Sequence, residues 1–370
     1  MELSYWEYKT WLSNIDFTIV GSGIVGLNTA LHLKKRFPKA KILILEKGIL
    51  PQGASTKNAG FACFGSISEV LSDLKSHTEE EVVQLAAQRF KGIQLLREIL
   101  GDENLGYENL GGHELFLNKD LPLFEKCQSS TTYINKLLKP VFKKPVFKIT
   151  RNTCGFKNIN QDIITHTEEG QIDTGRMMNS LLNLVQKKGI LILNSVQVEE
   201  FEEKSDSVLV KAVDFEFHTK KLLIATNGFA SKLLDEQVEP ARAQVMITRP
   251  IKNLHIKGTF HFDEGYYYFR NLDNRILFGG GRNLDFHSEK TDAFGQTELI
   301  QAELERLLNH MILPNIEFEI DYRWSGIMGV GQHKKPIVKQ LSKNVFCGVR
   351  LGGMGIAIGS SVGKELANLL

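Results

Sequence analysis

The chain has 370 residues, 42% of them apolar, which is enough to bury a sizeable core and to form two domains. Its 45 Lys and Arg against 43 Asp and Glu leave a net charge of +2, so composition gives no general drive toward nucleic acid or an anionic membrane. No apolar run approaches the roughly eighteen residues of a membrane span, and the start MELSYWEYKTWLSN lacks the apolar core of a signal peptide, so a cytoplasmic protein without a transmembrane segment is expected. Cys63, Cys127, Cys154 and Cys347 are scattered with no CxxC pair, and the ten histidines form no HExxH or paired spacing. Reduced thiols and no metal site are therefore expected.

Residues 15–47, IDFTIVGSGIVGLNTALHLKKRFPKAKILILEK, read as strand, turn, helix, turn, strand and acid. Gly21 permits a tight turn, Gly23 lets a pyrophosphate approach the backbone, and Gly26 lets the helix lie close on the strand, with small Ala30 one turn on assisting. The phosphates would then sit on the helix N-terminus. Glu46, twenty positions past Gly26, is placed to accept hydrogen bonds from a ribose diol, and its charge would repel a 2′-phosphate. The expected ligand is an adenine dinucleotide without that phosphate, with FAD and NAD both open at this point.

Residues 47–66 form a Gly, Ala and Ser-rich loop whose segment AGFACFG (59–65) is too apolar for a solvated loop, with Ser55 and Asn58 supplying hydrogen-bonding groups beside it. Thr78 to Glu81 is a capping box that opens a helix to about Leu100, stopped by Gly101. GGHELFLN (111–118) reads as a short strand and LPLFEKCQSSTTYINKLLK (121–139) as a helix. Lys136, Lys139, Lys143, Lys144 and Lys148 make a basic, solvated stretch. A helix over Gly175 to Lys188 ends at Gly189, followed by a strand GILILNSVQVEEFEE, a hairpin SVLVKAVDFEFH and a buried strand KLLIATNG to residue 228. Two or three strands over 241–283, a helix from Thr297 to His310, and a terminal strand, Gly-rich turn and helix complete the chain. The nucleotide-binding pattern resumes after a separate middle section, so that domain is expected to be discontinuous.

Together these segments resemble the FAD-dependent D-amino-acid oxidase, glycine oxidase and sarcosine oxidase family, the DAO family, in several motifs in the expected order over most of the chain. The resemblance implies an α/β fold: a Rossmann-like, glutathione-reductase-like FAD-binding domain (1–76, 150–236 and 322–370) with an inserted α+β substrate domain (77–149 and 237–321) built on an antiparallel sheet. It implies FAD held by Gly21, Gly23, Ile24, Val25 and Gly26 with Glu46 and Lys47. GASTKNAGF (53–61) is similar to the family's second motif, which puts Ser55, Asn58, Ala59 and Gly60 near the flavin. Val198 falls in the adenine contact, Thr226, Asn227 and Gly228 of ATNG and Gly326 and Ile327 of WSGIMG fall beside the cofactor, and Gly353, Met354, Gly355 and Ile356 form the closing flavin turn. Within the family, GYYYFR, NRILFGGG and the start SYWE look closest to the amine-oxidising branch typified by gamma-glutamylputrescine oxidase.

The family chemistry implied is removal of a hydride equivalent from a carbon bearing an amine, with an imine that hydrolyses. The substrate is then a small amine or amino acid, and the electron acceptor is oxygen or another oxidant. Where glycine-oxidase-like members carry a carboxylate-holding arginine, this chain has Met328, which argues against a simple alpha-amino acid. No cysteine matches the flavin tether of monomeric sarcosine oxidases, so FAD is expected to be noncovalent.

In the strand Gly265–Arg270, Tyr266, Tyr268 and Arg270 share one face and Tyr267 and Phe269 the other. The resemblance places Tyr266 over the substrate, while for Arg270 two readings stay open, a hold on a distal carboxylate or an ordinary ion pair. A 2-hydroxy-acid dehydrogenase on the same fold is an alternative that would need Arg323 or Arg350 as a carboxylate clamp. A flavin-binding subunit without turnover is another.

Overall fold

The computed structural model describes residues 2–370. Its first layer grows from the N-terminal strand, Ile15–Val20, which runs parallel to Ile42–Leu45 on one side and Glu216–Ile224 on the other. Val345–Val349 and Leu191–Leu193 extend the parallel set, and Val198–Glu203, Val208–Ala212 and Ile337–Gln340 complete eight strands. Parallel strands require crossovers that cover their faces, so these strands are apolar on both sides. Phe17, Ile19, Ile42 and Ile44 face a core shared with the helices Ile24–Arg36, Thr174–Lys187 and Gly355–Asn368. Leu43, Leu45, Leu222 and Ile224 face the opposite way, against Val208, Val210 and Phe217.

The second layer is an eight-stranded sheet in the order Ile320–Val330, Glu239–Thr248, Arg275–Gly280, Tyr267–Leu272, Thr259–Phe262, Gly112–Glu114, Asp162–His166, Phe147–Arg151. Its pairs are antiparallel except that Thr259–Phe262 runs parallel to Gly112–Glu114. Register decides what each face does. The row Phe260, Phe269, Phe278, Met246 packs into a core with Ile300 and Leu304 of the helix Glu298–Leu307. One residue along, the row Glu114, His261, Tyr268, Gly279, Val245, Trp324 points to the other side, toward the first layer.

Local chemistry sets the element ends. In the box that opens the helix Glu79–Leu100, Thr78 Oγ1 accepts from the Glu81 amide at 3.3 Å and the Glu81 carboxylate accepts from the Thr78 amide at 3.0 Å. Asp173 caps Thr174–Lys187 through the Arg176 amide at 2.9 Å.

The structure differs from the sequence expectations at several ends. GILILNSVQVEEFEE is two strands, because Ser195 at φ +59° bends the chain so that the Ser195 and Val196 amides donate to the carbonyls of Gly48 and Glu46. The second arm of the hairpin and KLLI form one strand, Glu216–Ile224, and ATNG is a loop leading into the 3₁₀ segment Asn227–Lys232. The helix expected to stop at 139 runs to Phe142, since Pro140 lies in its last turn and costs it only a bond near the end. The helix expected over 297–310 is Glu298–Leu307 followed by a π-helical turn, Leu308–Ile312.

Sheet membership also differs from the expected domain boundaries: residues 150 and 322 fall inside strands of the second sheet. The helices Glu79–Leu100 and Leu121–Phe142 pack into the first layer's core.

Candidate active site

A cavity of about 830 Å³ is lined from both layers, running from the Gly21 turn past Glu46 and Val198 to the second sheet and the Gly353–Ile356 turn. At its nucleotide end the backbone comes unusually close to itself. Gly21 has φ +104°, and a Cβ there would lie 2.8 Å from the Ala225 carbonyl oxygen. A Cβ on Gly26 would lie 1.9 Å from the Gly21 carbonyl oxygen, so the helix can start against the strand end only with glycine at both positions.

Glu46 is buried. Its Oε2 accepts from the Ser22 amide (3.1 Å) and hydroxyl (2.7 Å), and its Oε1 from the amides of Gly48 (3.0 Å) and Gln52 (3.3 Å). Ser55 Oγ accepts from the Ile24 amide at 2.9 Å, and Asn58 Oδ1 accepts from the Gly60 amide at 2.8 Å. Asn227 Oδ1 accepts from the Leu351 amide at 3.0 Å, tying ATNG to the closing turn. Thr226 Oγ1 is buried with no protein partner in this same wall. A helix N-terminus over a glycine crevice, an acid beyond it and an orphaned hydroxyl between them fit an adenine dinucleotide.

Every expected cofactor residue lines the cavity except Gly26, which lies beneath the turn. Lys47 is in the wall with its ammonium 3.2 Å from the Phe229 ring centroid, its pKa pushed down by burial. Trp324 Nε1 donates to the Lys57 carbonyl at 2.9 Å, which fastens the second sheet to the loop carrying Ser55 and Asn58.

At the far end, Tyr266 lines the cavity 37% exposed, edge-on to Phe286, just before the strand Tyr267–Leu272. Tyr267 and Phe269 are buried in the sheet's core, as alternation requires. Tyr268 also lines the cavity, and burial pushes its phenol up to about 12. His261, its register partner, is in the wall with Nδ1 buried and unpartnered, and burial lowers its pKa.

Arg270 is a correction. It is 2% exposed and outside the cavity wall, and its Nη1 donates to the carbonyls of Ile172 (2.7 Å) and Gly60 (3.1 Å). Burial lowers its pKa to about 10. It shares the face of Tyr268 and sits under the flavin-side loop, where Nη1 props Gly60 while Nε is buried with no protein partner. Arg323 and Arg350 are likewise committed: Arg323 to Gln301 (2.6 Å) and Glu305, Arg350 to the carbonyls of Lys335 (3.0 Å) and Gln237 (3.3 Å). Arg323 falls on the helix-facing side because it is one residue out of step with Trp324. Among the described residues the arginine in the wall is Arg282, whose guanidinium stacks on Phe286 at 4.8 Å.

Sequence reasoning missed His261, Glu169 and the place of Tyr268 in the wall. Alternation in GYYYFR was the available signal for Tyr268; His261 and Glu169 had none, since they reach the cavity by cross-strand register and by a loop contact.

A nucleotide layer built on parallel strands and a mostly antiparallel sheet closing over one shared cavity define a two-layer, dinucleotide-binding protein. The family model for FAD dependent oxidoreductases, DAO, matches residues 16–369, and the chain belongs to that family. It is thus an FAD-dependent enzyme. The chain is 20% identical to a probable oxidoreductase, OrdL, of Haemophilus influenzae, over 98% of this chain and 84% of that protein. It is 22% identical to the gamma-glutamylputrescine oxidoreductase of Escherichia coli, over 96% and 83%. Glycine oxidase from Geobacillus kaustophilus has the same fold, with a TM-score of 0.75 at 18% identity, covering 96% of this chain and 94% of that one. Among the described residues no helix is long and apolar enough to cross a membrane.

Proposed function

We propose that the protein oxidises the C–N bond of a small amine that carries no carboxylate next to the reacting carbon. Bound FAD supplies the hydride acceptor, at flavin N5, and the imine product hydrolyses. The observation that carries this reading is Met328 in the cavity wall, its Sδ 4.0 Å from where a Cβ on Gly353 would lie, at the place where glycine-oxidase-like relatives hold a carboxylate with arginine. A thioether among apolar groups offers no partner to a carboxylate, and burying one there unpaired would be costly. The name of the Escherichia coli relative, an oxidoreductase of an amine, supports the same substrate class.

The chain's own residues would bind, orient and dry the site. Gly21 to Val25 and Glu46 would hold the dinucleotide, Ser55 and Asn58 would fix the loop beside the ring, and Tyr266 would orient the substrate's polar group. With substrate and dinucleotide bound, the second sheet would cover the cavity and exclude water, which would strengthen each polar contact inside. The hydroxy-acid reading loses support because Arg323 and Arg350 are both spent on protein acceptors.

The test is anaerobic mixing of the yellow protein with amines, alpha-amino acids and hydroxy acids, following bleaching of the flavin. Faster bleaching by an alpha-amino acid than by the matching amine would sink the amine preference. A flavin that no donor reduces would favour a binding subunit. Readmitting air to the reduced protein then separates an oxidase, which regains colour quickly, from an enzyme using another acceptor.

A further inference from the structure

Glu169 is a buried carboxylate in the cavity wall that the reading above leaves without a task. It is 1% exposed and sits just before the short strand Gly170–Gln171, which pairs with Phe61–Ala62 of the flavin-side loop. Its Oε1 accepts from the amides of Phe64 at 2.6 Å and Gly65 at 3.2 Å. Its Oε2 has no donor among the described residues and lies over Gly112, where a Cβ would come within 1.8 Å of it. Oε1 therefore carries two backbone donors, while Oε2 carries none and packs against the Gly112 backbone.

The groups facing this carboxyl are Glu69 from the helix Ile67–Asp73, Arg89 from the helix Glu79–Leu100, and Cys63 from the loop. Arg89 Nη1 donates to the Phe64 carbonyl at 2.8 Å, and the Cys63 thiol is pushed up by burial. Glu69 Oε2 is engaged with the Ser66 amide at 2.9 Å in a helix cap. Glu46 accepts four hydrogen bonds at the nucleotide end. Burial makes His261 less basic, and it does the same to Lys47 at the nucleotide end.

We infer that Glu169 accepts the proton that an ammonium substrate must lose before its hydride can leave. The inference rests on the amine reading. An alkyl amine has a pKa close to that of lysine, roughly 10, so it reaches the site as an ammonium with no lone pair. One proton passes from nitrogen to Glu169 Oε2. Bound FAD would then take the C–H hydrogen with its electron pair, while the freed nitrogen lone pair forms the C=N bond. Water adds to that bond, leaving a carbonyl compound and ammonia. Carbon is oxidised by two electrons and the flavin reduced by two, with nothing else required. Burial holds the Glu169 carboxyl at about 7, a basicity suited to this transfer near neutral pH.

Two measurements on the FAD-bound protein test this. The first uses wild type at pH 8 with tert-butylamine, which has no hydrogen on the carbon bearing nitrogen, following binding through the flavin spectrum and protons through an indicator dye in weak buffer. Amine and proton should enter together, so almost no proton is released. Release of one proton per amine bound overturns the inference.

The second uses Glu169→Gln, which keeps an oxygen for the Phe64 and Gly65 amides. Its flavin reduction at pH 7 should slow by about 10²–10⁴-fold, the range of a lost general base. The rate should then climb about tenfold per pH unit as the neutral amine becomes more abundant. Reduction at the wild-type rate at pH 7 overturns the inference, and if the variant does not hold FAD, release of one proton per amine bound by wild type still overturns it. Wild type that no amine bleaches at any pH refutes the function, whereas bleaching with proton release refutes only the role of Glu169.

Discussion

The phenol ring of Tyr268 lies directly over Gly279 on the neighbouring strand: a Cβ at Gly279 would come within 2.8 Å of Cε2 and 2.9 Å of the hydroxyl oxygen. The missing side chain gives the ring its seat and keeps the cavity open above it. Gly279→Ala should therefore push the phenol into the cavity while FAD stays bound at the distant glycine turn. The expected result is an amine Kd raised by about tenfold, a cost near 1.4 kcal/mol, with unchanged flavin content. Titration of the flavin spectrum with an unreactive amine checks it, and an unaltered Kd would remove Tyr268 from the substrate pocket.

Tyr266 separates from Tyr268 by the same assay. The residue is partly exposed at the cavity wall and its ring packs edge-on to Phe286, so Tyr266→Phe should leave folding and flavin content intact. Slower flavin reduction by an amine is expected, and unchanged kinetics would take Tyr266 out of the site.

Glu46→Gln preserves shape but turns one oxygen into a donor amid four donors from Ser22, Gly48 and Gln52. FAD affinity should fall by about 1–3 kcal/mol, the scale of a hydrogen bond to a charged group or of a buried polar group left unmatched. Equilibrium dialysis of free flavin measures this directly; an affinity equal to wild type would mean that the carboxylate's charge contributes nothing to holding the ribose end.

Arg270→Met strips the buried Ile172 carbonyl of its side-chain donor and takes one of two donors from the Gly60 carbonyl, which keeps the Ile172 amide. Each unsatisfied group costs about 1–3 kcal/mol, so the melting temperature should drop and the loop beside the flavin should loosen. Amines with and without a distal carboxylate should lose affinity by the same factor. A selective loss for the carboxylate-bearing amine would restore Arg270 as a substrate contact.

Stability should depend on pH through opposed buried groups. His166 is packed among Phe64, Phe142 and Phe147, and burial lowers it from 6.5 to about 3. Between those values the unfolded chain binds more protons, so this contribution is lost as pH falls from about 6.5 toward 3. Glu114 and Glu169 are raised from 4.5 to about 7, so the folded state binds more protons between those values and their effect is to weaken the fold as pH rises toward 7. His166→Phe should therefore melt progressively higher relative to wild type as pH is lowered below 6.5. Parallel melting curves over pH 4 to 7 would show that His166 does not carry the acid sensitivity.

What sequence alone determined here is what depends on neighbours along the chain. A glycine turn between an apolar strand and an amphipathic helix, an acid at the end of the next strand, a Thr–Glu capping box and alternation in GYYYFR are local patterns, and each restricts the backbone within a few residues. They placed the Gly21 turn, Glu46 and the separate faces of Tyr266 and Tyr267 before any contact was known. The tertiary structure decided which polar groups are free. Arg270 looked available in its strand, yet its Nη1 is bonded to a carbonyl 98 residues away. Glu169 looked like one more acid in a turn, yet it crosses 105 residues to hold the loop by one oxygen, while the other has no donor among the described residues. Burial and hydrogen-bond satisfaction belong to surfaces that meet only on folding, so no spacing rule along the chain encodes which carboxylate keeps an unpaired oxygen or which guanidinium is already spent.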